Sequence, residues 1–385
     1  MIMKKIAVVT GTRAEYGILT PVCKAIEGNK ALQLCLVVTG MHLSHDFGYT
    51  VSEIEKDGFK IDARVPMLPD KDSPTAMAES IGRGISGMAR AWHSLNPDFV
   101  VVLGDRVEPL AAAITGVYMN IPVAHIHGGD VTRGGFDEYA RHAITKLAHI
   151  HFPATQKSAE RILKMGEDAW RIHLVGSPAL DAILNEPLPS PADVAAKLGI
   201  DTSKPFIMVT QHPVTTESEM AVAQMKETLE ALVELKIPAI VFYPNSDAGG
   251  REMIDLIKKY SKKHAFIKIV PNLPRREYLS LLKITGALVG NSSSGIIDAP
   301  SFGLPAVNIG IRQEGRERGC NVIDVPPEQK EIVSGITRAL NDKDFIARVK
   351  KCENPYGDGK AGPKIAEILA EIEKTSRLLE KKLTY

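Results

Sequence analysis

Short apolar runs rich in β-branched residues recur along the whole chain, and amphipathic stretches separate them. In the first half the runs are KIAVVT (5–10), LCLVVTG (34–40), DFVVVLG (98–104), VAHIH (123–127), HIHFPA (149–154) and RIHLVG (171–176). In the second half they are FIMVTQ (206–211), AIVFYP (239–244), FIKIV (266–270), ALVG (287–290) and AVNIG (306–310). A strand apolar on both faces must be covered on both faces. Segments such as GILTPVCKAIEG and MAVAQMKETLEALVEL carry the helical periodicity that does the covering. This alternation predicts an α/β chain with doubly wound parallel sheets.

A chain of 385 residues is long enough for two such sheets with separate cores. The segment ILNEPLPSPADV, with three prolines, reads as the linker. The expected domains are residues 1–185 and 186–365. A charged amphipathic helix follows over about 361–382, with 366–385 counted apart, of the kind that packs back across a hinge. Ligands of doubly wound sheets bind at the strand C-termini, which points to a cleft between the domains.

Two strand–loop–helix units stand out, IAVVTGTRAEYG (6–17) and ALVGNSSSGIIDAPSFG (287–303). Each aims backbone N–H groups and a helix N-terminus at a ligand, which favours phosphate. Neither is a GxxxxGK[ST] loop or a GxGxxG fingerprint, which argues against simple ATPases and nicotinamide dehydrogenases. A net charge of +1 argues against nucleic acid as a partner. No apolar run approaches 18 residues and no secretory leader is evident, so no membrane partner and a cytoplasmic location are expected. The four cysteines form no CxxC pattern and read as reduced thiols.

Several residues are candidates for chemistry. Arg13 in GTRAEYG can fork onto a phosphate. Asp105 in GDRVEP lies just past a buried strand, where it suits acid or base work or a helix cap. Arg106 and Glu108 are neighbours whose roles the sequence does not separate. The stretch HIHGGDVTRGGFDEYARHAITKLAHIHF crowds His125, His127, Asp130, Asp137, Glu138, Arg141, His142, His149 and His151 together. His125 and His127 are expected on one side of a strand, with His142 and His149 two turns apart on a helix. A metal site is the tempting reading, but HExxH is absent and the carboxylate spacing is irregular. HGGD reads better as a substrate-facing loop, and no metal is expected. In the second half, His212 ends a strand, where it can stabilise a diphosphate or move a proton. Asn245 and Asp247 end the next strand. Ser292, Ser293 and Ser294 open a helix, with Asp298 one turn in, placed to meet the two hydroxyls of a ribose. Arg312 follows in GIRQEGRERGCNV.

Taken together, GTRAEYG, GMHLSHDFG, GDRVEPLAAA, HIHGGD, RHAITKLAH, HPVTTE, PNSDAGG, GNSSSG and IRQEGRERGCNVI stand in the order found in UDP-N-acetylglucosamine 2-epimerases. The chain resembles the hydrolysing branch of that family most, over about residues 4–370. The resemblance implies a GT-B-like fold of two Rossmann-like domains and a UDP-amino sugar substrate. It also implies proton abstraction at C2 with anti-elimination of UDP, then water addition to give the free 2-epimerised sugar. No nicotinamide or other cofactor is implied, and a homo-oligomer, a dimer or tetramer, is expected. Carried over residue by residue, Asp105 takes a catalytic aspartate's place. Asp137 and Glu138 cover a later catalytic carboxylate, with Glu138 favoured. His212 matches the second-domain histidine. Arg13, Ser292, Ser293 and Arg312 match diphosphate contacts, and Asp298 stands where a ribose-binding glutamate is usual. The family often reads HIEGG where this chain has HIHGG, so His127 replaces a carboxylate used in acid–base work. A histidine can serve there, or Asp130 takes over. The change also fits a different substrate, such as a UDP-2,4-diacetamido-trideoxyhexose (UDP-N,N'-diacetylbacillosamine). A GT-B glycosyltransferase and a non-catalytic UDP-sugar sensor are the competing readings.

Overall fold

The computed structural model describes residues 3–45, 48–69, 74–131, 137–244, 249–271 and 273–384. Its chain divides into two compact units. The first runs to Asp130, resumes with the helix Asp137–Leu147 as far as Ala182, and takes in the chain from Tyr356 onward. The second is built chiefly from Ile183–Pro355.

The first unit holds β1 (Lys4–Thr10), β2 (Leu32–Thr39), β3 (Ile61–Val65), β4 (Phe99–Leu103), β5 (Val123–Ile126) and β6 (Ile150–Phe152). All pair in parallel, in the order β3-β2-β1-β4-β5-β6. The second unit holds β7 (Ile207–Thr210), β8 (Ala239–Phe242), β9 (Ile267–Val270), β10 (Leu288–Gly290), β11 (Ala306–Ile309) and β12 (Val322–Val325), in the order β12-β11-β10-β7-β8-β9. Counted from its own first strand, the second order is the first one reversed end for end, so the two units share one doubly wound topology. The direction of strand addition reverses between β1 and β4 in one unit and between β7 and β10 in the other.

The central strands are buried on both faces, as their sequences require. β4 and β7 are buried at every position. Ile6, Val8, Leu36 and Val101 pack against the helix Arg13–Gly28 on one face of the first sheet. Ala7, Val9, Val37 and Val100 pack against Met88 and Trp92 on the other. Each fully buried aliphatic side chain contributes about 1.5–3 kcal/mol relative to exposure.

Three expectations are corrected. RIHLVG is not a strand of the sheet. It runs beside β6 through His173 N–H to His151 O (2.9 Å) and Val175 N–H to Pro153 O (3.4 Å), with a single bridge. The strands β3 and β12 were not expected. Both lie at sheet edges and mix polar with apolar residues, so they lack the continuous apolar run. The C-terminal helix is broken: Ala361–Glu371 is followed by an irregular stretch and one turn at Ser376–Leu379. That turn is held to the first unit by the buried Arg171, which donates to the carbonyls of Arg377, Leu378 and Glu380. Among the described residues no helix is long and apolar enough to cross a membrane.

Candidate active site

In the first unit the strand ends β1, β4 and β5 gather most of the polar residues. After β4 the chain turns at Gly104, and Asp105 turns its carboxylate to Arg141. That guanidinium donates to Asp105 Oδ2 through Nε (3.0 Å) and also through Nη2. Its Nη1 donates to Glu138 Oε2 at 2.6 Å and to the Asp130 carbonyl at 2.9 Å. Arg141 is 1% exposed, whereas the Asp105 and Glu138 side chains are 25% and 30% exposed. One buried cation therefore holds two carboxylates that both reach solvent. Glu138 and Arg141 share a helix face at i,i+3. The helix at Val107–Tyr118 is capped at Arg106, not Asp105, so the acid is not spent as a cap. Asp137 opens the Asp137–Leu147 helix, and its side chain lies outside the described residues.

His127 and Asp130 lie one layer behind. His127 is not on the strand face shared with His125, because β5 ends at Ile126 and His127 adopts φ 64°. His125 donates from Nε2 to the Gly104 carbonyl (2.7 Å) and faces Thr145, and burial pushes its pKa down to about 3. His127 places Nδ1 2.9 Å from Asp130 Oδ2 and Nε2 3.0 Å from Ser177 Oγ. Gly129, at φ 75°, packs so closely on the Ser158 carbonyl that a Cβ would sit 2.2 Å from it, so this turn admits only glycine. His149 is not on the helix with His142, since that helix ends at Leu147; its Nδ1 accepts the Val123 N–H. His151 faces the buried Glu167 (3.1 Å), which Lys146 and Lys381 also contact. These partners hold Glu167 down at about 2, against its burial. Among the described residues no group of three His, Cys, Asp or Glu side chains is arranged for a metal.

The first loop is closed from within. Thr12 accepts the Glu15 N–H, and Glu15 Oε2 accepts the Gly11 N–H at 2.7 Å, a variant of the capping box. The amides expected to face an anion are thus partly occupied. Burial, reinforced by the nearby Glu108 carboxylate, raises the Glu15 pKa to about 8, so at neutral pH this side chain carries mostly its proton. Glu108 is buried against the backbone of Gly11 and Gly40, with Arg106 Nε 3.4 Å from its Oε2. Arg13 opens the first helix, with Nε 3.3 Å from Glu53.

In the second unit β7 and β10 approach closely at Gly290, whose φ of 123° and proximity to Thr210 O leave no room for a Cβ. Just beyond, Asn291 accepts the His212 N–H (2.7 Å) and donates to its carbonyl (2.8 Å), locking the two strand ends together. Arg312 and Gln313 both donate to the Asn291 carbonyl. Burial, with the Arg312 cation second, lowers the His212 pKa to about 3, so this imidazole is neutral. Ser292 Oγ accepts the Ser294 N–H, and the helix that follows is one turn, Ser294–Ile297. Asp298 is 3% exposed. Arg275 grips it with two hydrogen bonds (2.9 and 2.7 Å), and the Ser294 hydroxyl donates to it at 2.7 Å. The expectation of an open ribose acceptor thus meets a buried, bidentate ion pair. Asn245 and Asp247 lie outside the described residues.

Sequence reasoning gave no role to Arg141, Ser177, Arg275 or Asn291. Arg141 was findable from its i+3 spacing to Glu138. The others carry no local signal, because their partners come from distant segments.

A family model described as UDP-N-acetylglucosamine 2-epimerase matches residues 24–370. The UDP-N,N'-diacetylbacillosamine 2-epimerase (hydrolyzing) of Legionella pneumophila is 39% identical over 98% of this chain and 99% of its own. The GDP/UDP-N,N'-diacetylbacillosamine 2-epimerase (hydrolyzing) of Campylobacter jejuni is 37% identical over 84% of this chain and 85% of its own. The crystal structure of a Neisseria meningitidis UDP-GlcNAc 2-epimerase bound to UDP-GlcNAc superposes with a TM-score of 0.82 at 20% identity, over 96% of this chain and 100% of the other. That likeness establishes the GT-B-like fold. With a family match over most of its length and full-length relatives above 30% identity, the chain belongs to the UDP-N-acetylglucosamine 2-epimerase family.

Proposed function

We propose that the protein is a hydrolysing UDP-sugar 2-epimerase whose proton chemistry rests on Asp105 and Glu138. The observation that carries this assignment is the single buried guanidinium of Arg141 holding both solvent-reaching carboxylates. Arg141 gives both carboxylates fixed directions. One carboxylate removes the C2 proton as the C1–O bond to UDP breaks. The other delivers a proton to the opposite face of the unsaturated sugar and recovers one from the water that adds its hydroxyl at C1, while the first passes its C2 proton to the departing UDP or to solvent. UDP and the free, inverted sugar leave, and one water is consumed.

The second unit serves the nucleotide in this reading. Ser292, Ser293 and Arg312 meet the diphosphate beside a neutral His212. Asp298 acts by aiming Arg275 and the Ser294 hydroxyl.

The sugar is a UDP-linked 2-acetamido hexose. UDP-GlcNAc is one substrate to try. The names of the Legionella and Campylobacter relatives, at 39% and 37% identity, favour the 2,4-diacetamido sugar as the second. The test is incubation with each UDP-sugar in deuterated water, with and without EDTA and with no acceptor. Free UDP and 2-epimerised sugar carrying deuterium at C2, formed equally in EDTA, is the expected result. Product without deuterium would mean simple cleavage at C1. Return of an intact UDP-sugar epimer would place the protein in the non-hydrolysing branch. Full, metal-reversible loss in EDTA would restore the metal reading of the histidine-rich stretch.

A further inference from the structure

Behind the two exposed carboxylates runs a continuous hydrogen-bonded chain, Ser177–His127–Asp130–Ser158. The Ala179 N–H donates to Ser177 Oγ at 3.3 Å. Ser177 Oγ also lies 3.0 Å from His127 Nε2, and its hydroxyl donates there when Nδ1 carries the ring proton. The Asp130 carboxylate oxygen facing Nδ1 accepts, which places the imidazole proton on Nδ1, donating to Oδ2 at 2.9 Å. The other Asp130 oxygen accepts the Ser158 hydroxyl at 2.8 Å. Ser158 lies in the first turn of the helix Gln156–Lys164, capped by Thr155, which favours a carboxylate above it.

The arrangement resembles a serine–histidine–aspartate triad, but its exposure does not fit that use. Ser177 is 1% exposed, too deep to attack a ligand. Both His127 ring nitrogens are engaged, so neither is open to a bound sugar. The side chains of His127 and Asp130 are 11% and 10% exposed, well below those of Asp105 and Glu138. What the chain does fix is backbone. It pins the left-handed His127 and the turn after it, and the carbonyl of Asp130 accepts from Arg141.

We propose that His127 is a positioning residue, anchored by Ser177, that sets the Asp130 carbonyl so that Arg141 presents Asp105 and Glu138 in their working geometry. The proposal rests on the assignment of proton transfer to those two carboxylates. It places no proton transfer on His127, although the residue stands in the histidine-rich motif.

The test compares Ser177→Ala, His127→Gln, Asp105→Asn and Glu138→Gln in the full chain, under saturating UDP-sugar in deuterated water. Misplacement of a working group costs about 10- to 100-fold in kcat. Ser177→Ala and His127→Gln are expected to lose that much, with KM within a few-fold. Both should keep full deuterium at C2 and both limbs of the kcat–pH profile. Loss of a limb, or of deuterium incorporation, in His127→Gln would make the histidine the proton carrier and overturn the proposal. Near-normal turnover in both Asp105→Asn and Glu138→Gln would instead remove the carboxylate assignment, a separate failure. If His127→Gln does not fold, imidazole 15N shifts of the wild-type protein decide. A protonated Nδ1 with an acceptor Nε2, shifted by Ser177→Ala, is expected. The opposite tautomer would overturn the anchor.

Discussion

The two sheets have one strand order and opposite chemistry at their reversal points. Beyond β1 and β4 stand Asp105, Glu108 and Glu15, with Arg141 behind them. Beyond β7 and β10 stand Asn291, Ser292, Ser293 and a neutral His212, with Arg312. Topology dictates where a ligand meets each sheet, and the residue types there dictate what happens to it. Carboxylates can take a proton from a bound sugar or hand one to it. Hydroxyls, amides and a neutral imidazole can bind an anion without exchanging protons with it.

The sharpest way to break this contrast is to remove charge from the first sheet and keep shape. Asp105→Asn preserves one acceptor oxygen toward Arg141 but no base. Turnover should fall by about 10²-fold or more, the usual scale for a general acid or base, while UDP affinity by calorimetry stays unchanged. Turnover near the wild-type rate would leave the first sheet without its assigned chemistry. Weakened UDP binding would show that the division of labour between the sheets is wrong.

The same contrast explains what was legible in the sequence. The central strands were readable because burial on both faces forces continuous apolar runs, as in FVVVL and IMVT. The edge strands IDARV and VIDV were not, because an edge needs no such run. Asp105 and the serines were readable because they follow buried strands directly. The state of each candidate was not. Asp298 is consumed by Arg275, twenty-three residues earlier, and His127 by Ser177, fifty residues later. Spacing along a chain reports shared faces on one element. It carries no information on which distant side chain completes a hydrogen bond.

A smaller effect is expected from the second sheet. Ser292→Ala combined with Ser293→Ala removes two hydroxyls and leaves the Asn291–His212 lock in place. UDP affinity should weaken by roughly 1.5–3 kcal/mol, the range for hydrogen bonds to a charged group. Turnover at saturating substrate should change far less than in Asp105→Asn. Unchanged affinity in calorimetry would move the diphosphate away from these serines, and a kcat loss equal to that of Asp105→Asn would erase the distinction between the sheets.

The last effect, on stability and not on turnover, sharpens the comparison between the two loops themselves. Among the described residues no carboxyl caps the backbone of the second loop, whereas the first has Glu15 on the Gly11 N–H. Folded Glu15 titrates near 8, against 4.5 for an ordinary glutamate, because burial penalises its ionised form and Glu108 adds repulsion. Below pH 4.5 both folded and unfolded chains hold the proton, and this group gives no pH dependence. Between 4.5 and 8 the unfolded chain releases the proton and the folded chain keeps it. Stability therefore falls as pH rises across that window, by up to about 1.4 kcal/mol per unit for this one group. Above 8 both states are ionised and the loss is complete. Glu15→Gln keeps an acceptor for Gly11 and has no proton to release, so it should remove this slope and gain on the wild type as pH rises. Urea midpoints at pH 5 and pH 8.5 measure it. Parallel midpoints for the two proteins would mean that Glu15 is already ionised at neutral pH. The first loop would then set a full negative charge where the second sets serine hydroxyls and a neutral His212.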